Sequence, residues 1–224
     1  MTRLALTAAL ALLATPLAAQ GGADPDRAVA GGGTMPPGWS HRLDSRAASA
    51  ANLSFAPMGP GLHITTGPSG ILWRAADRTE GKFHTEATFT RTKAPAHAEA
   101  YGLFVAGRNL DADSQTYLYF LTRGDGKFLV SRANGTVAAS GRPAVTHVTQ
   151  GWTDHAAVAK ADAAGKATDK LEIATVGTRL RFSVNGQVVH EMDAAGMDLS
   201  GIVGLRVNHN LDVHIDGFVV HKLP

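Results

Sequence analysis

The polar segment between residues 109 and 115 carries the oxygen side chains with the best spacing for a metal ion. It reads Asn-Leu-Asp-Ala-Asp-Ser-Gln, so Asp111, Asp113 and Gln115 occupy alternate positions. Alternating oxygen ligands in a loop suit Ca²⁺, which prefers carboxylate and amide oxygens. The glycine and distal glutamate of an EF-hand loop are absent, and Asp side chains also stabilise turns through local hydrogen bonds. The three residues are therefore candidate Ca²⁺ ligands, with turn formation as the alternative, and no other cofactor is predicted.

Two tyrosines, two positions apart, are candidate ligand-binding side chains. Tyr117 and Tyr119 lie in the run TYLYFLTR, and a spacing of two directs both to one face of a strand. A ring with a hydroxyl tip suits a ligand that has both apolar and polar surfaces, and packing in the core is the alternative. Because the run is apolar on both faces, we predict that its strand is central in its sheet.

Paired carboxylates on one strand face would indicate a glycosidase. A retaining enzyme needs two carboxyl groups about 5–5.5 Å apart, a separation that residues i and i+2 of a strand can supply. Neither Glu86 nor Glu172 has an acid two positions away. The nearest acids that share a face are Asp212 and Asp216, with His214 between them. A solvated strand face is the alternative to a catalytic or metal role for these three residues.

Charge and composition exclude several classes of protein. The 224 residues include 21 Lys and Arg against 19 Asp and Glu, without a basic block, so we predict no nucleic-acid partner. Cysteine is absent, which excludes disulfides and a cysteine-linked lipid anchor. No segment after the N-terminus approaches the roughly 20 apolar residues of a transmembrane helix, so no membrane span is predicted.

The N-terminal residues have the layout of a secretory signal peptide. Arg3 supplies a positive start, residues 4–13 form an apolar core, and small residues end at Ala19. We therefore predict a signal peptide over residues 1–19 and a protein exported to the periplasm or secreted. Residues 20–37 are rich in Gly, Ala and Pro, which predicts a flexible leader. One folded domain is predicted over residues 38–224.

The predicted domain consists of short apolar-patterned runs separated by Gly, Pro, Asn and Asp. Such runs without a helical period indicate an all-β sandwich. Asn185-Gly186 suits a two-residue hairpin turn, and residues 124–126 suit a second hairpin. The predicted strands are Leu53–Ala56, Gly61–Thr66, Ile71–Ala75, Lys82–Thr92, Ala100–Gly107, Thr116–Thr122, Lys127–Arg132, His155–Lys160, Lys170–Val176, Thr178–Val184, Gln187–Met192, Ile202–His209 and Leu211–His221.

Several short motifs follow one another in an order typical of one superfamily. They are Gly-Trp at 38–39, GLHI at 61–64, ILW at 71–73, FHTE at 83–86, LRFSVNG at 180–186, GIVGLR at 201–206 and the run from Val213 to Val219. In this order they resemble concanavalin A-like, or laminin G-like, jelly-roll domains. Within that superfamily the chain is similar to exported bacterial domains of the 3-keto-disaccharide hydrolase type.

This resemblance implies a jelly-roll sandwich of two antiparallel sheets whose concave sheet meets a glycan or other saccharide. The residues expected there are Tyr117, Tyr119, Arg132 and Arg108. We predict an exported carbohydrate-binding, lectin-like protein. The alternatives are a glycoside-cleaving enzyme of the 3-keto-disaccharide hydrolase type and a non-catalytic structural or interaction protein of the envelope. Residues 100–108 lack the Asn-Ser-Gly-like segment of the hydrolase family, so the resemblance assigns no catalytic residue.

Overall fold

A computed structural model describes residues 25–223, and the predicted signal peptide therefore lies outside the described residues. Strands dominate this part, with one 3-10 turn at Ala50–Asn52. The strands are β1 Trp39–Leu43, β2 Leu53–Met58, β3 Gly61–Thr66, β4 Gly70–Thr79, β5 Phe83–Arg91, β6 Ala100–Arg108, β7 Thr116–Arg123, β8 Lys127–Thr136, β9 Pro143–His147, β10 Thr153–Asp154, β11 Ala167–Val176, β12 Arg179–Val184, β13 Gln187–Asp193, β14 Gly201–Val207 and β15 Asp212–Lys222.

The strands form two antiparallel sheets. Sheet A has the order β1-β4-β14-β6-β7-β8-β10, and β9 also pairs with β8. Sheet B has the order β13-β12-β11-β5-β15-β3-β2. The predicted all-β sandwich of two antiparallel sheets is confirmed. Strand β7 lies between β6 and β8, as its two apolar faces predicted.

The core lies between the sheets and is built by alternate residues of each strand. In β5 every second side chain is buried, from Phe83 to Phe89. Phe120 of sheet A contacts Phe182 of sheet B edge-on, with ring centroids 5.4 Å apart. Full burial of such a side chain contributes about 1.5–3 kcal/mol. Because a slip of one residue would expose the whole apolar set, these rings fix the strand register.

Both predicted hairpin turns are confirmed. Asn185 and Gly186 have φ angles of 52° and 77°, and the flanking Val184 pairs with Gln187. This positive φ at both positions is the geometry of a type I′ turn, which Asn-Gly adopts readily. The Asn185 side chain also donates a hydrogen bond of 3.0 Å to the buried carboxylate of Asp169. The turn therefore anchors a core residue as well as joining two strands.

The structure differs from the predicted strands in several places. Strands β1, β9 and β10 were not predicted, since all three are short and lack a clear alternation of buried and exposed residues. The predicted strand His155–Lys160 is wrong. Its residues Ala157 and Val158 are both buried, so the segment lacks the alternation of a strand with one solvent-facing side. The backbone turns there instead, with the Val158 amide donating to the His155 carbonyl at 3.0 Å.

The part of the predicted leader that the structure describes lies along the domain. The Arg27 amide donates to Asn210 Oδ1 at 2.8 Å, and its Nε donates to the Thr66 carbonyl at 2.9 Å. Met35 packs against the core. The flexibility of residues 20–37 stays a prediction. Between residues 25 and 223, no helix has the length and apolar character needed to cross a bilayer.

Candidate functional site

Sheet A carries a second apolar cluster on its outer face, the face turned away from sheet B. Leu118 and Phe120 of β7 belong to the core between the sheets, so Tyr117 and Tyr119 point outward. The outward face of an antiparallel sheet is commonly polar, so an apolar cluster on this face is unusual. We call this cluster the aromatic face; it contains Ile71, Trp73, Phe104, Tyr117, Tyr119, Leu121 and Leu129.

A row of three rings forms the centre of the aromatic face. The ring centroids of Phe104 and Tyr117 lie 5.3 Å apart, and those of Tyr117 and Tyr119 lie 5.8 Å apart. Gly204 of β14 makes room for the first ring. A Cβ atom at Gly204 would lie 2.5 Å from Phe104 Cε1, so glycine is required for the ring to lie against the strand.

A buried ion pair crosses this row of rings. Arg206 of β14 is 7% exposed, and its Nη1 and Nη2 donate to the two carboxylate oxygens of Asp44 at 3.0 and 2.6 Å. Nη1 also donates to the Tyr117 hydroxyl at 3.0 Å. The guanidinium carbon lies 4.9 Å from the ring centroid of Tyr119, a cation–π distance. The two-pronged Asp44–Arg206 pair fixes the guanidinium in one orientation.

The electrostatics of this pair exclude proton transfer by Arg206 and Tyr117 near neutral pH. Burial alone lowers the pKa of Arg206, but the charge and hydrogen bonds of Asp44, together with Tyr117 and Tyr119, raise the pKa above its ordinary value. Burial raises the pKa of Tyr117 well above its ordinary value of 10.0. The guanidinium therefore stays charged and the phenol stays neutral. The pair positions side chains and does not act as an acid or a base.

A cleft of about 460 Å³ lies next to the aromatic face, at the end of sheet A where β14 begins. Its floor is apolar and includes Trp73 and Ile202. Its rim is polar and is supplied by β4 and by the turn between β6 and β7. The lining residues are Trp73, Arg78, Gly107, Arg108, Asn109, Leu110, Asp111, Ala112 and Ile202.

Arg108 is held in place at the rim of the cleft. Its Nη2 lies 2.5 Å from Asp198 Oδ2 and donates to the Ser200 carbonyl at 2.9 Å. Hydrogen bonds from Ser200, together with the Arg108 charge, hold the pKa of Asp198 below its ordinary value. Arg108 therefore lines the cleft, while its guanidinium is bound to the 198–200 loop.

Comparison with known proteins identifies the architecture. By sequence, the chain matches no protein-family model and no curated protein. By structure, it is similar to the carbohydrate-binding module CBM66 from Bacillus subtilis, with a TM-score of 0.55 and 14% identity over 83% of this chain and 96% of that one. For a family 16 glycoside hydrolase endo-glucanase from Bacteroides ovatus, the TM-score is 0.54 and the identity 12%, over 81% of this chain and 94% of that one. For a protein of unknown function with a galectin-like fold from Bacillus subtilis, the TM-score is 0.52 and the identity 13%, over 82% of this chain and 89% of that one. The chain has a concanavalin A-like jelly-roll fold.

At identities of 12–14% these similarities show the fold of the jelly roll alone. The resemblance to concanavalin A-like domains is confirmed. The more specific similarity to the 3-keto-disaccharide hydrolase type stays a prediction.

The jelly roll brings together some of the predicted ligand-binding residues and separates others. Tyr117 and Tyr119 lie side by side but are only 3% and 4% exposed, and neither of them lines the cleft. Arg108 lies at the cleft. Arg132 pairs with the inward-facing Leu118 and therefore projects from the opposite side of sheet A. Arg132 instead lines a smaller cavity together with Arg108 and Tyr117, and the ligand-binding role of these residues stays a prediction.

The three predicted Ca²⁺ ligands have different neighbours in the jelly roll. Asp111 is exposed and borders the cleft. Asp113 Oδ1 accepts a hydrogen bond of 3.0 Å from Arg42, and Oδ2 forms an ion pair with Arg46. Gln115 is buried. A Ca²⁺ ion at this loop would have to displace two guanidinium groups, and the Ca²⁺ site stays a prediction.

The acids noted at the start of β15 are each partnered by a separate histidine. Asp212 Oδ1 lies 2.7 Å from His63 Nε2, and Asp216 Oδ2 lies 3.1 Å from His214 Nε2. Burial opposes ionisation of Asp212, but the hydrogen bond from His63 and the charge of Lys93 hold its pKa below the ordinary value. The two carboxylates therefore belong to two separate pairs and do not form the carboxyl pair of a glycosidase.

Sequence reasoning missed the Asp44–Arg206 pair. The signal for Arg206 was present, because it is the one charged residue in the apolar run from Gly201 to Val207. A charge inside such a strand requires a buried partner. Asp44 carried no comparable signal, since it follows β1, a strand that the pattern did not predict.

Proposed function

We propose that this protein binds carbohydrate in the cleft beside the aromatic face of sheet A. The observation that carries the proposal is the combination of an apolar floor at Trp73 and Ile202 with a polar rim at Arg78, Arg108 and Asp111. A sugar ring presents C–H groups on its faces and hydroxyl groups around its edge. The volume of about 460 Å³ falls within the usual range for small-ligand sites, about 300–1,000 Å³.

The rim offers both kinds of hydrogen-bonding group that a sugar hydroxyl needs. Arg78 and Arg108 donate, and the Asp111 carboxylate accepts. Arg108 is already ordered by Asp198 and Ser200, so less conformational entropy is lost when a ligand binds. Beside the floor, the Asp44–Arg206 pair joins the end of β1 to β14.

Binding without hydrolysis is favoured over the glycoside-cleaving alternative. A glycosidase needs two carboxyl groups on either side of the scissile bond. Around the aromatic face, Asp44 is held by Arg206, and Asp113 is held by Arg42 and Arg46. Among the described residues that line the cleft, Asp111 is the single acid. One carboxylate can accept a hydrogen bond from a sugar but cannot supply both catalytic roles.

The names of two similar structures, a carbohydrate-binding module and an endo-glucanase, support the proposal. We include export to the periplasm or secretion in it, on the basis of the signal peptide predicted over residues 1–19. A lectin-like protein in that location would meet extracellular glycans directly.

A glycan array followed by calorimetric titration tests the proposal. We expect the purified protein to bind a defined set of oligosaccharides, and Arg108→Ala and Asp111→Ala each to weaken binding about tenfold or more. Arg179→Ala, which removes an exposed arginine of sheet B, is the matched control and should bind like the wild type. The proposal is overturned if the protein binds no glycan on the array. It is also overturned if Arg108→Ala and the control Arg179→Ala weaken glycan binding equally.

A further inference from the structure

The outer face of sheet B brings three potential metal ligands together. Strands β5 and β11 are antiparallel neighbours, and Glu86 pairs directly with Glu172. His84 precedes Glu86 by two positions and therefore shares its face. The residues between them, such as Thr85, are buried in the core. The three side chains converge on the outer surface although Glu86 and Glu172 are far apart in the sequence.

The spacing of the ligand atoms is close to that of a metal site. His84 Nε2 lies 3.5 Å from Glu86 Oε2 and 3.9 Å from Glu172 Oε2, and the three ligand atoms lie within 4.8 Å of one another. Zinc bonds to nitrogen and oxygen place tetrahedral ligand atoms about 3.4 Å apart. Small rotations of the half-buried side chains would bring all three atoms to that distance.

Lys170 at present neutralises the two glutamates. Its Nζ lies 2.9 Å from Glu86 Oε2 and 3.4 Å from Glu172 Oε1. The Lys170 side chain is 42% exposed, so it can turn into solvent when another cation takes its place.

We propose that His84, Glu86 and Glu172 form a binding site for a divalent transition-metal ion such as Zn²⁺, with the Lys170 ammonium as a built-in competitor. Two carboxylates balance the charge of the ion. The imidazole favours Zn²⁺ over Ca²⁺ and Mg²⁺, which prefer oxygen ligands. Three protein ligands leave a fourth position open to water or to another ligand. The site lies on the sheet opposite the carbohydrate cleft and does not depend on the function proposed for that cleft.

Calorimetric titration of ZnCl₂ into the untagged protein tests the site. We expect the wild type to bind Zn²⁺ and not Mg²⁺. His84→Ala and Glu172→Gln should each weaken Zn²⁺ binding about tenfold or more. Lys170→Met should strengthen it about tenfold, because the competing positive charge is removed. A gain in affinity cannot result from a misfolded variant.

His214→Ala is the matched control, because His214 lies on the same sheet face and pairs with a single carboxylate, Asp216. It should leave Zn²⁺ affinity unchanged. Three results would overturn the proposal: no Zn²⁺ binding by the wild type, even if Lys170→Met binds it; equal weakening by His214→Ala and His84→Ala; or a Lys170→Met protein that binds no tighter than the wild type.

Discussion

Replacing Asp44 with alanine should destabilise the protein far more than loss of a surface charge. The change leaves the Arg206 guanidinium, 7% exposed, without its counter-charge. Removing one partner of a buried ion pair costs about 3–5 kcal/mol. A chain of this size loses about 2–4 °C of melting temperature per kcal/mol, so Asp44→Ala should lower Tm by about 6–20 °C.

A double-mutant cycle separates the charge effect from the loss of packing. Arg206→Met fills a similar volume without a charge, so Asp44→Ala combined with Arg206→Met should recover most of the stability lost in Asp44→Ala alone. The free energy of unfolding is measured by urea denaturation followed by circular dichroism. The matched control is Glu80→Ala, which breaks the exposed pair with Arg78 and should leave Tm unchanged.

Two outcomes would refute this reasoning. A loss below about 1 kcal/mol in Asp44→Ala would mean that the pair behaves like an exposed one, with water replacing the carboxylate. A double variant whose loss equals the sum of the two single losses would mean that Asp44 and Arg206 are not energetically coupled. Either result would remove the support that we assign to the aromatic face.

Three further predictions concern the same sheet and its surroundings. Tyr117→Phe should cost about 1.5–3 kcal/mol in urea denaturation, because it removes the hydroxyl that accepts a hydrogen bond from charged Arg206, and an unchanged free energy of unfolding would contradict that bond. Burial raises the pKa of Asp169 above its ordinary value of 3.8, so the folded state binds a proton more readily than the unfolded state. The contribution of Asp169 therefore improves as pH falls through the raised pKa toward 3.8, so the wild type should gain stability relative to Asp169→Asn on acidification; parallel pH curves for the two proteins would disprove this. Calorimetry should show weak Ca²⁺ binding that is strengthened by Arg46→Ala and lost in Asp113→Asn, whereas equal heat in Asp113→Asn would place any ion elsewhere.

Alternation and turn chemistry predicted most strands of the fold. The predicted bounds of Gly61–Thr66 coincide with β3, because an apolar pattern there ends at Gly and Pro on both sides. The Asn185-Gly186 hairpin was equally clear, since positive φ is encoded in the two residue types. Both signals are local. Strand β9 was not predicted because it is an edge strand whose residues are mostly exposed, so burial imposes no alternation of apolar and polar residues on it.

The candidate site depends on register between strands, which is not a local property. Arg132 was grouped with Tyr117 and Tyr119 by closeness in sequence. In the sheet, Tyr119 lies opposite Ser131, so Arg132 falls on the other face. A difference of one residue in register decides this, and no motif specifies it.

The same limit applies to pairs that are distant in the sequence. Asp44 and Arg206 are 162 positions apart and meet only because β1 and β14 both border β4. Arg108 was predicted for a saccharide and Asp111 for Ca²⁺; both line the cleft because they are three positions apart, so no long-range register is needed to bring them together.

The contacts of Arg27 fix the place of the first described residues relative to the cleft. Arg27 bonds to Asn210, beyond the far end of β14, whereas the cleft includes Ile202 at the near end. Ile202 and Asn208 are six positions apart, which in an extended chain is about 20 Å. A protein immobilised through a residue beside Arg27 would therefore present the cleft away from the support.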